Sequence, residues 1–275
     1  MTVQNEPKTG FAKDFPWNTM GYTPEMERDF IKTDLGPTLE QAGWTPKNFS
    51  IMFYDHDRDT IASWADVVLK DKDAAKYVKG VAVHWYGDMN TGPSHLTQTH
   101  NAHPDFFILA TEACVANWSR PESRVALGNW EFGEAYAVDI MRDLSNWAVG
   151  WVDWNMVLDP DGMPNWTGKD HTQSAPIIVE KNKHEYYKNP TLYAIGHYSK
   201  VIPPGSSRIG MSPEKIEDNG FYANVFQRPD GGVVVIVINK RNEQQAFIVE
   251  DPEIGSQQLK MQIEPHSFNS WVYYH

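Results

Sequence analysis

The chain has 275 residues, 41% of them hydrophobic and 22% charged, enough for one large globular domain or a large domain with a small one. Its formal net charge of −12, with no basic block or arginine stripe, disfavours a nucleic-acid-binding surface, which needs clustered Lys and Arg against phosphate, and no nucleic-acid partner is expected. A single cysteine excludes an internal disulfide and any CxxC metal or redox site, and no run reaches the roughly 18 apolar residues of a membrane span.

The opening MTVQNEPKTG has neither the basic nor the apolar region of a signal peptide, so no signal segment is read in it. Residues 2–6 read as the tail of a strand stopped by Pro7. A loop over 8–22 holds Phe15, Pro16 and Trp17. Thr23-Pro24-Glu25 is a helix start, with Ile31, Leu35 and Leu39 as the apolar face and Gly43 as the stop. Phe49–Tyr54 reads as a strand. Asp55-His56-Asp57-Arg58-Asp59 then opens like a calcium loop, but Thr60 stands where that loop needs glycine and Asp66 where it needs glutamate, so no metal is expected. Helices follow at Ile61–Leu69 and Asp73–Tyr77. Val81–Tyr86 is a strand ending in His84, Trp85 and Tyr86, and a short helix spans Ser94–Asn101.

Phe106–Cys114 is the next strand. Its apolar run Phe106–Ala110 is continuous rather than alternating, the pattern of a strand buried on both faces. It ends in Thr111, Glu112 and Cys114. A helix over Gly133–Trp147 leads to a strand, Val149–Leu158, read as ending in Asp153-Trp154-Asn155, and Pro190–Ile202 is the last helix. Alternating strands and helices imply a parallel sheet, and strand ends rich in polar and aromatic residues suggest the mouth of a (β/α) barrel. Near Pro203-Pro204-Gly205 the period changes. Phe221–Phe226, Gly231–Lys240, Gln245–Glu250, Leu259–Glu264 and Phe268–Tyr274 are short strands with no helical pattern, the signature of a small β-sandwich. The expected domains are therefore 1–203 and 204–275.

Two glutamates, Glu6 and Glu112, end two of the barrel-type strands. Paired carboxylates across a cleft suit glycoside hydrolysis, where one protonates the leaving oxygen and the other attacks the anomeric carbon or activates water. Aromatics at 13%, with 11 Trp, fit a sugar-binding cleft or an aromatic-rich core equally well.

An ordered set of stretches then carries a resemblance over nearly the whole chain: QNEP at 4–7, TPEMERDFIKTDLGPTL at 23–39, AAKYVKGVAVHWY at 74–86, ATEACV at 110–115, VGWVDWN at 149–155, PNW at 164–166, SAPIIV at 174–179 and HYSKVIPPGSSRIG at 197–210. The chain resembles the family 30 glycoside hydrolases, in their glucosylceramidase branch. The resemblance implies an α/β fold, a partial (β/α)8 TIM barrel of about strands 4 to 8 followed by a small all-β sandwich, and a retaining β-glucosidase chemistry without a cofactor. It implies Glu112 as nucleophile, Glu6 as acid/base and Asn5 as the donor to the sugar 2-hydroxyl. Tyr86, Trp154 and Cys114 match residues lining the pocket, and Phe15 and Trp17 match aromatics at its mouth. For Cys114 the reading as a small buried hydrophobe stays open.

The resemblance also implies that barrel strands one to three lie outside this sequence, which leaves sheet edges through which copies could self-associate. The loop Gly168–Gln173 departs from the family pattern at the pocket rim. Three readings follow: cleavage of glucosylceramide to glucose and ceramide, with membrane-surface contact through the lipid; a family 30 β-1,6-glucanase; or a non-catalytic carbohydrate-binding or interaction module. The resemblance suggests a lysosomal or secreted protein.

Overall fold

The computed structural model describes residues 1–116, 124–165, 172–212, 216–255 and 258–274; Trp166 and residues 168–171 of the rim loop lie outside them. Helix α1, Pro24–Phe30, starts as its sequence dictates: Thr23 is extended, its hydroxyl accepts from the Met26 amide, and Pro24 fills the first turn. The rod continues through a π turn, Ile31–Leu35, into α2, Gly36–Gln41. The wide turn, in which the Gly36 amide reaches back to the Ile31 carbonyl, accommodates Pro37, whose ring would clash in regular α-helix.

A parallel sheet follows, built of β1 (Met52–Asp57), β2 (Gly80–His84), β3 (Phe107–Glu112) and β4 (Ala148–Trp151), in that order. Thr2 adds a parallel bridge to Met52. Helices α3 (Ile61–Leu69), α4 (Lys72–Ala75) and α5 (Ser94–Ala102) connect the strands. Ile31, Phe53, Ile61, Trp64, Val68, Val81, Leu96 and Ile108 form one buried cluster between sheet and helices. In β3 the burial alternates, with Ile108 and Ala110 buried and Phe107 and Leu109 half-buried; the continuous apolar run therefore does not mean equal cover on both faces.

The single strand expected over Val149–Leu158 is two. After β4 the chain turns at Asp153-Trp154-Asn155, and β5 (Val157–Leu158) pairs in parallel with β6 (Ile177–Glu180), which pairs antiparallel with β7 (Glu185–Lys188). That β6–β7 hairpin has no counterpart in the sequence expectation. Helices α6 (Trp130–Ser145) and α7 (Pro190–Ser199) pack together, with the Tyr198 hydroxyl donating to the Ala137 carbonyl at 2.6 Å.

The C-terminal strands are β8 (Ser207–Arg208), β9 (Ile216–Asp218), β10 (Phe221–Gln227), β11 (Val233–Asn239), β12 (Gln245–Glu250), β13 (Gln258–Ile263) and β14 (Ser267–Tyr273). One sheet has the order β14-β11-β10-β8 with β9 on β10, and the other is the β12–β13 pair. Phe221, Ala223, Val235 and Val237 face Phe247 and Ile263 across the sandwich core. Contacts divide the described chain into two units, Met1–Cys114 with Asn146–Trp154, and Val115–Ser145 with Asn155–His275.

Candidate active site

The candidate residues lie in the first unit, at the carboxyl ends of the parallel strands, where α/β folds assemble their sites. β2 ends in His84 and β3 in Glu112, registered directly opposite each other. β1 brings Asp55 by an irregularity. Its register with β2 runs Tyr54 to Ala82 and then His56 to Val83, so Asp55 is an extra residue in the strand. Tyr54 and Asp55 both have left-handed backbones, with φ 77° and 49°, a bulge of the kind that re-aims side chains beside functional sites.

The bulge ties the N-terminal segment to the sheet. The Asp55 carbonyl accepts from the Glu6 amide at 2.9 Å, and Glu6 is itself left-handed, with φ 47°. The Asp55 carboxylate accepts from Thr111 Oγ1 at 2.6 Å and pairs with His84 Nε2 at 3.1 Å. His84 Nδ1 lies 3.4 Å from Glu6 Oε1, and His84 Nε2 lies 3.9 Å from Glu112 Oε2. The imidazole thus stands among three carboxylates. A carboxylate oxygen of Glu6, one of Glu112 and a ring nitrogen of His84 lie within 4.8 Å of one another.

The other oxygen of Glu112 is held from outside. Tyr86 donates to Glu112 Oε1 at 3.0 Å, and the Cys114 sulfur is 3.0 Å from the same phenol oxygen. With the phenolic proton committed to the carboxylate, the thiol donates to the phenol. Among the candidate residues, then, Glu6, Glu112, Tyr86 and Cys114 join one linked group through His84 and Asp55. Asn5 and Trp154 are exposed and stand outside it; the Trp154 amide donates to Ala113 O at 2.9 Å, just past the end of β3. Phe15 and Trp17 pack edge-to-face, ring centroids 6.0 Å apart at 84°.

Electrostatics follow from this geometry. Burial alone would lower the His84 pKa, but hydrogen bonds to Asp55 and Glu6 and the charges of Asp55 and Glu112 outweigh it and push it up to about 10. His84 is then an imidazolium at neutral pH. Burial also raises the Glu112 carboxyl, against the opposing charge of His84 and the bond from Tyr86. Burial pushes the Cys114 thiol up to about 12, so it is neutral. The cluster of Glu6, His84 and Glu112 has ligand atoms close enough for a cation, but a doubly protonated imidazole offers no lone pair to one.

His84 and Asp55 escaped the sequence reading as site residues. His84 was legible only as a polar residue closing an apolar run, and Asp55 only as the first acid of an incomplete calcium loop.

The family model of the glycosyl hydrolase family 30 TIM-barrel domain matches residues 1–202, and that of the family 30 β-sandwich domain matches residues 205–271. A lysosomal acid glucosylceramidase of Mus musculus is 40% identical over 258 residues, 93% of this chain and 48% of that protein. An endo-1,6-β-D-glucanase of Aspergillus fumigatus is 29% identical over 242 residues, 87% of this chain and 45% of that protein. Among solved structures, SrfJ from Salmonella typhimurium superposes with a TM-score of 0.86 at 27% identity, covering 100% of this chain and 57% of that one. An endo-β1,6-glucanase superposes with a TM-score of 0.83 at 25% identity, covering 100% and 58%. The chain spans about half the length of the curated relatives it matches.

Proposed function

Because the chain belongs to glycosyl hydrolase family 30, we propose that it carries the two-glutamate centre of a retaining β-glucosidase whose substrate is glucosylceramide, cleaved to glucose and ceramide. The observation that carries this reading is the approach of Glu6 and Glu112 oxygens within 4.8 Å. Retaining enzymes hold their carboxyl groups about 5–5.5 Å apart, whereas inverting enzymes leave room for a water at about 6.5–9.5 Å. In this reading Glu112 attacks the anomeric carbon while Glu6 gives its proton to the leaving oxygen. The Glu112–sugar ester is then hydrolysed by water, whose proton returns to Glu6.

Tyr86 fixes one Glu112 oxygen by its hydrogen bond and leaves the other for attack. Asn5 serves as donor to the sugar 2-hydroxyl, Trp154 and Cys114 as pocket wall, and Phe15 and Trp17 as contacts to the aglycone at the mouth. The glucosylceramidase relative at 40% identity supports the substrate. We assign the catalytic domain to residues 1–203 and the sandwich to 204–275, with the substrate met at a membrane surface in the lysosome or outside the cell, and self-association through the edges of the parallel sheet.

A β-1,6-glucanase is the second reading, supported by the fungal relative and by the superposed endo-β1,6-glucanase. The test is hydrolysis of a chromogenic β-glucoside by the purified chain, followed by glucosylceramide and a β-1,6-glucan in parallel, with Glu112→Gln as control. A 2-deoxy-2-fluoroglucoside should label the parent covalently at Glu112 and leave the variant unlabelled. Absence of both turnover and label in a folded sample overturns the enzymatic reading, and turnover of the glucan alone overturns the substrate.

A further inference from the structure

Glu27 has no part in the chemistry above, yet it is a fully buried carboxylate inside the core cluster of the first unit. It lies on α1 four residues before Ile31, on the stripe that faces the sheet. Its two oxygens stand 3.3 Å each from the Tyr54 amide nitrogen, and Oε2 accepts from the Trp64 indole at 2.6 Å. Tyr54 and Trp64 are themselves buried, and their rings pack at 5.4 Å.

The Tyr54 amide is the first donor of the β1 bulge. β1 is the outer strand of the four, and by the strand period Tyr54 faces the same outward side as Met52, whose amide goes to the N-terminal segment and not to β2. Here Tyr54 has φ 77° and the Tyr54–Asp55 step leaves the register with β2. A buried amide without a partner is costly, so the bulge persists only if something accepts from it. Glu27 is that acceptor. The bulge in turn sends the Asp55 carboxylate to His84 and Thr111 and its carbonyl to the Glu6 amide.

We propose that Glu27 is a positioning residue for this site: through the Tyr54 amide it holds the Tyr54–Asp55 bulge, and through Asp55 it fixes the His84 ring between Glu6 and Glu112. The inference rests on the glycosidase reading only for its consequence in turnover. The positioning itself is read in His84. The carboxyl, held above the usual range by burial and by the neighbouring charge of Asp55, against the bonds from Trp64 and Tyr54, acts here through its acceptor oxygens.

The decisive measurement is the His84 titration by NMR of the labelled full chain, in the parent and in Glu27→Met, Glu27→Gln and Glu27→Asp. Methionine keeps the volume and removes the acceptor. His84 should then titrate about one pH unit or more below the parent, because an imidazolium loses a well-aimed carboxylate partner. Glutamine keeps an acceptor oxygen and should hold the parent titration. Should Glu27→Met fail to fold, Glu27→Asp, which draws the carboxylate back from Tyr54 by one carbon, takes its place with the same expectation.

A purely structural Glu27 would lower the melting temperature and leave the His84 titration where it was. That result overturns the proposal, as does a glutamine variant that shifts as far as the methionine one. If the parent shows no glycosidase activity, the functional reading fails while the His84 titration still decides the role of Glu27.

Discussion

Tyr86 donates its phenolic proton to Glu112 Oε1 at 3.0 Å, from a side chain two residues beyond the end of β2 to one that ends β3. The bond stabilises the carboxylate against the burial that raises its pKa. Tyr86→Phe removes it without changing the ring. A hydrogen bond to a charged group is worth about 1.5–3 kcal/mol, so kcat/KM on an aryl β-glucoside should fall by about 10- to 150-fold. The sign of the pH effect is fixed too. Losing a bond to the ionised form raises the Glu112 pKa, so the acidic limb of the rate profile should move to higher pH. A variant whose acidic limb stays at the parent position would show that Tyr86 does not act on Glu112.

Cys114 is the chain's one cysteine, buried, with its sulfur on the same phenol. Burial keeps the thiol neutral up to about 12, and the thiolate is the form that alkylates. Iodoacetamide at pH 8 should leave the native chain unmodified by mass and add a single label only after denaturation. Rapid labelling of the native protein would place Cys114 in a more open and polar setting than this one.

Much of this site could be read from the chain because its parts end apolar runs. Glu112 and His84 close strands whose hydrophobic content is unmistakable, so the positions were legible even where the role of His84 was not. The β1 bulge left no such trace. Tyr54 does not announce a left-handed backbone and Asp55 does so only weakly, and the partners that meet the bulge, Glu27, His84, Thr111 and Glu6, come from elsewhere in the chain. Glu27 did leave a signal: with Ile31, Leu35 and Leu39 it completes an every-fourth-residue stripe, and a carboxylate in an apolar stripe asks for a buried partner. The break of Val149–Leu158 into β4 and β5 is marked in the sequence only by Asp153 and Asn155 within an otherwise apolar run, and which strand pairs with which is decided by partners elsewhere in the chain.

Three largely buried groups give the first unit a definite pH response. Glu27 has its pKa raised by burial from 4.5 to about 7. An acid with a raised folded pKa stabilises the fold below its unfolded value and loses that contribution as pH climbs through 4.5 to 7. The loss is about 3 kcal/mol at pH 8. His84, raised from 6.5 to about 10, contributes fully below pH 6.5 and loses its contribution as pH rises through 10. His56, whose imidazole burial pushes down from 6.5 to about 4, works the other way and gains stability as pH rises through that range. Denaturant midpoints should therefore change little between pH 5 and 6.5, where Glu27 and His56 offset each other, and fall from pH 6.5 to pH 10. Glu27→Gln should make the midpoint rise between pH 5 and 6.5, and His84→Gln should flatten the part between pH 7 and 10. A Glu27→Gln midpoint that stays level below pH 6.5 would contradict the Glu27 assignment, and a parent midpoint level from pH 7 to 10 the His84 one.

The loop with Phe15 and Trp17 is pinched at its base by two glycines. A methyl group built on Gly10 would come within 2.1 Å of the Gly21 nitrogen and 2.4 Å of its Cα, so the two backbone segments meet where no side chain fits. The obstruction is main chain and cannot rotate away. Gly10→Ala must push the two arms apart and shift the Phe15–Trp17 pair, whose rings sit 6.0 Å apart. If that pair contacts the aglycone, KM for a long-chain glucoside should rise by about 10-fold, the scale of one to two kcal/mol of lost apolar contact. A short aryl glucoside, which does not extend to the mouth, should keep its kinetics within a factor of about three. Equal losses on both substrates would mean that the loop supports Glu6 rather than the aglycone, since the Glu6 carbonyl accepts from the Thr9 amide at 2.9 Å immediately before Gly10.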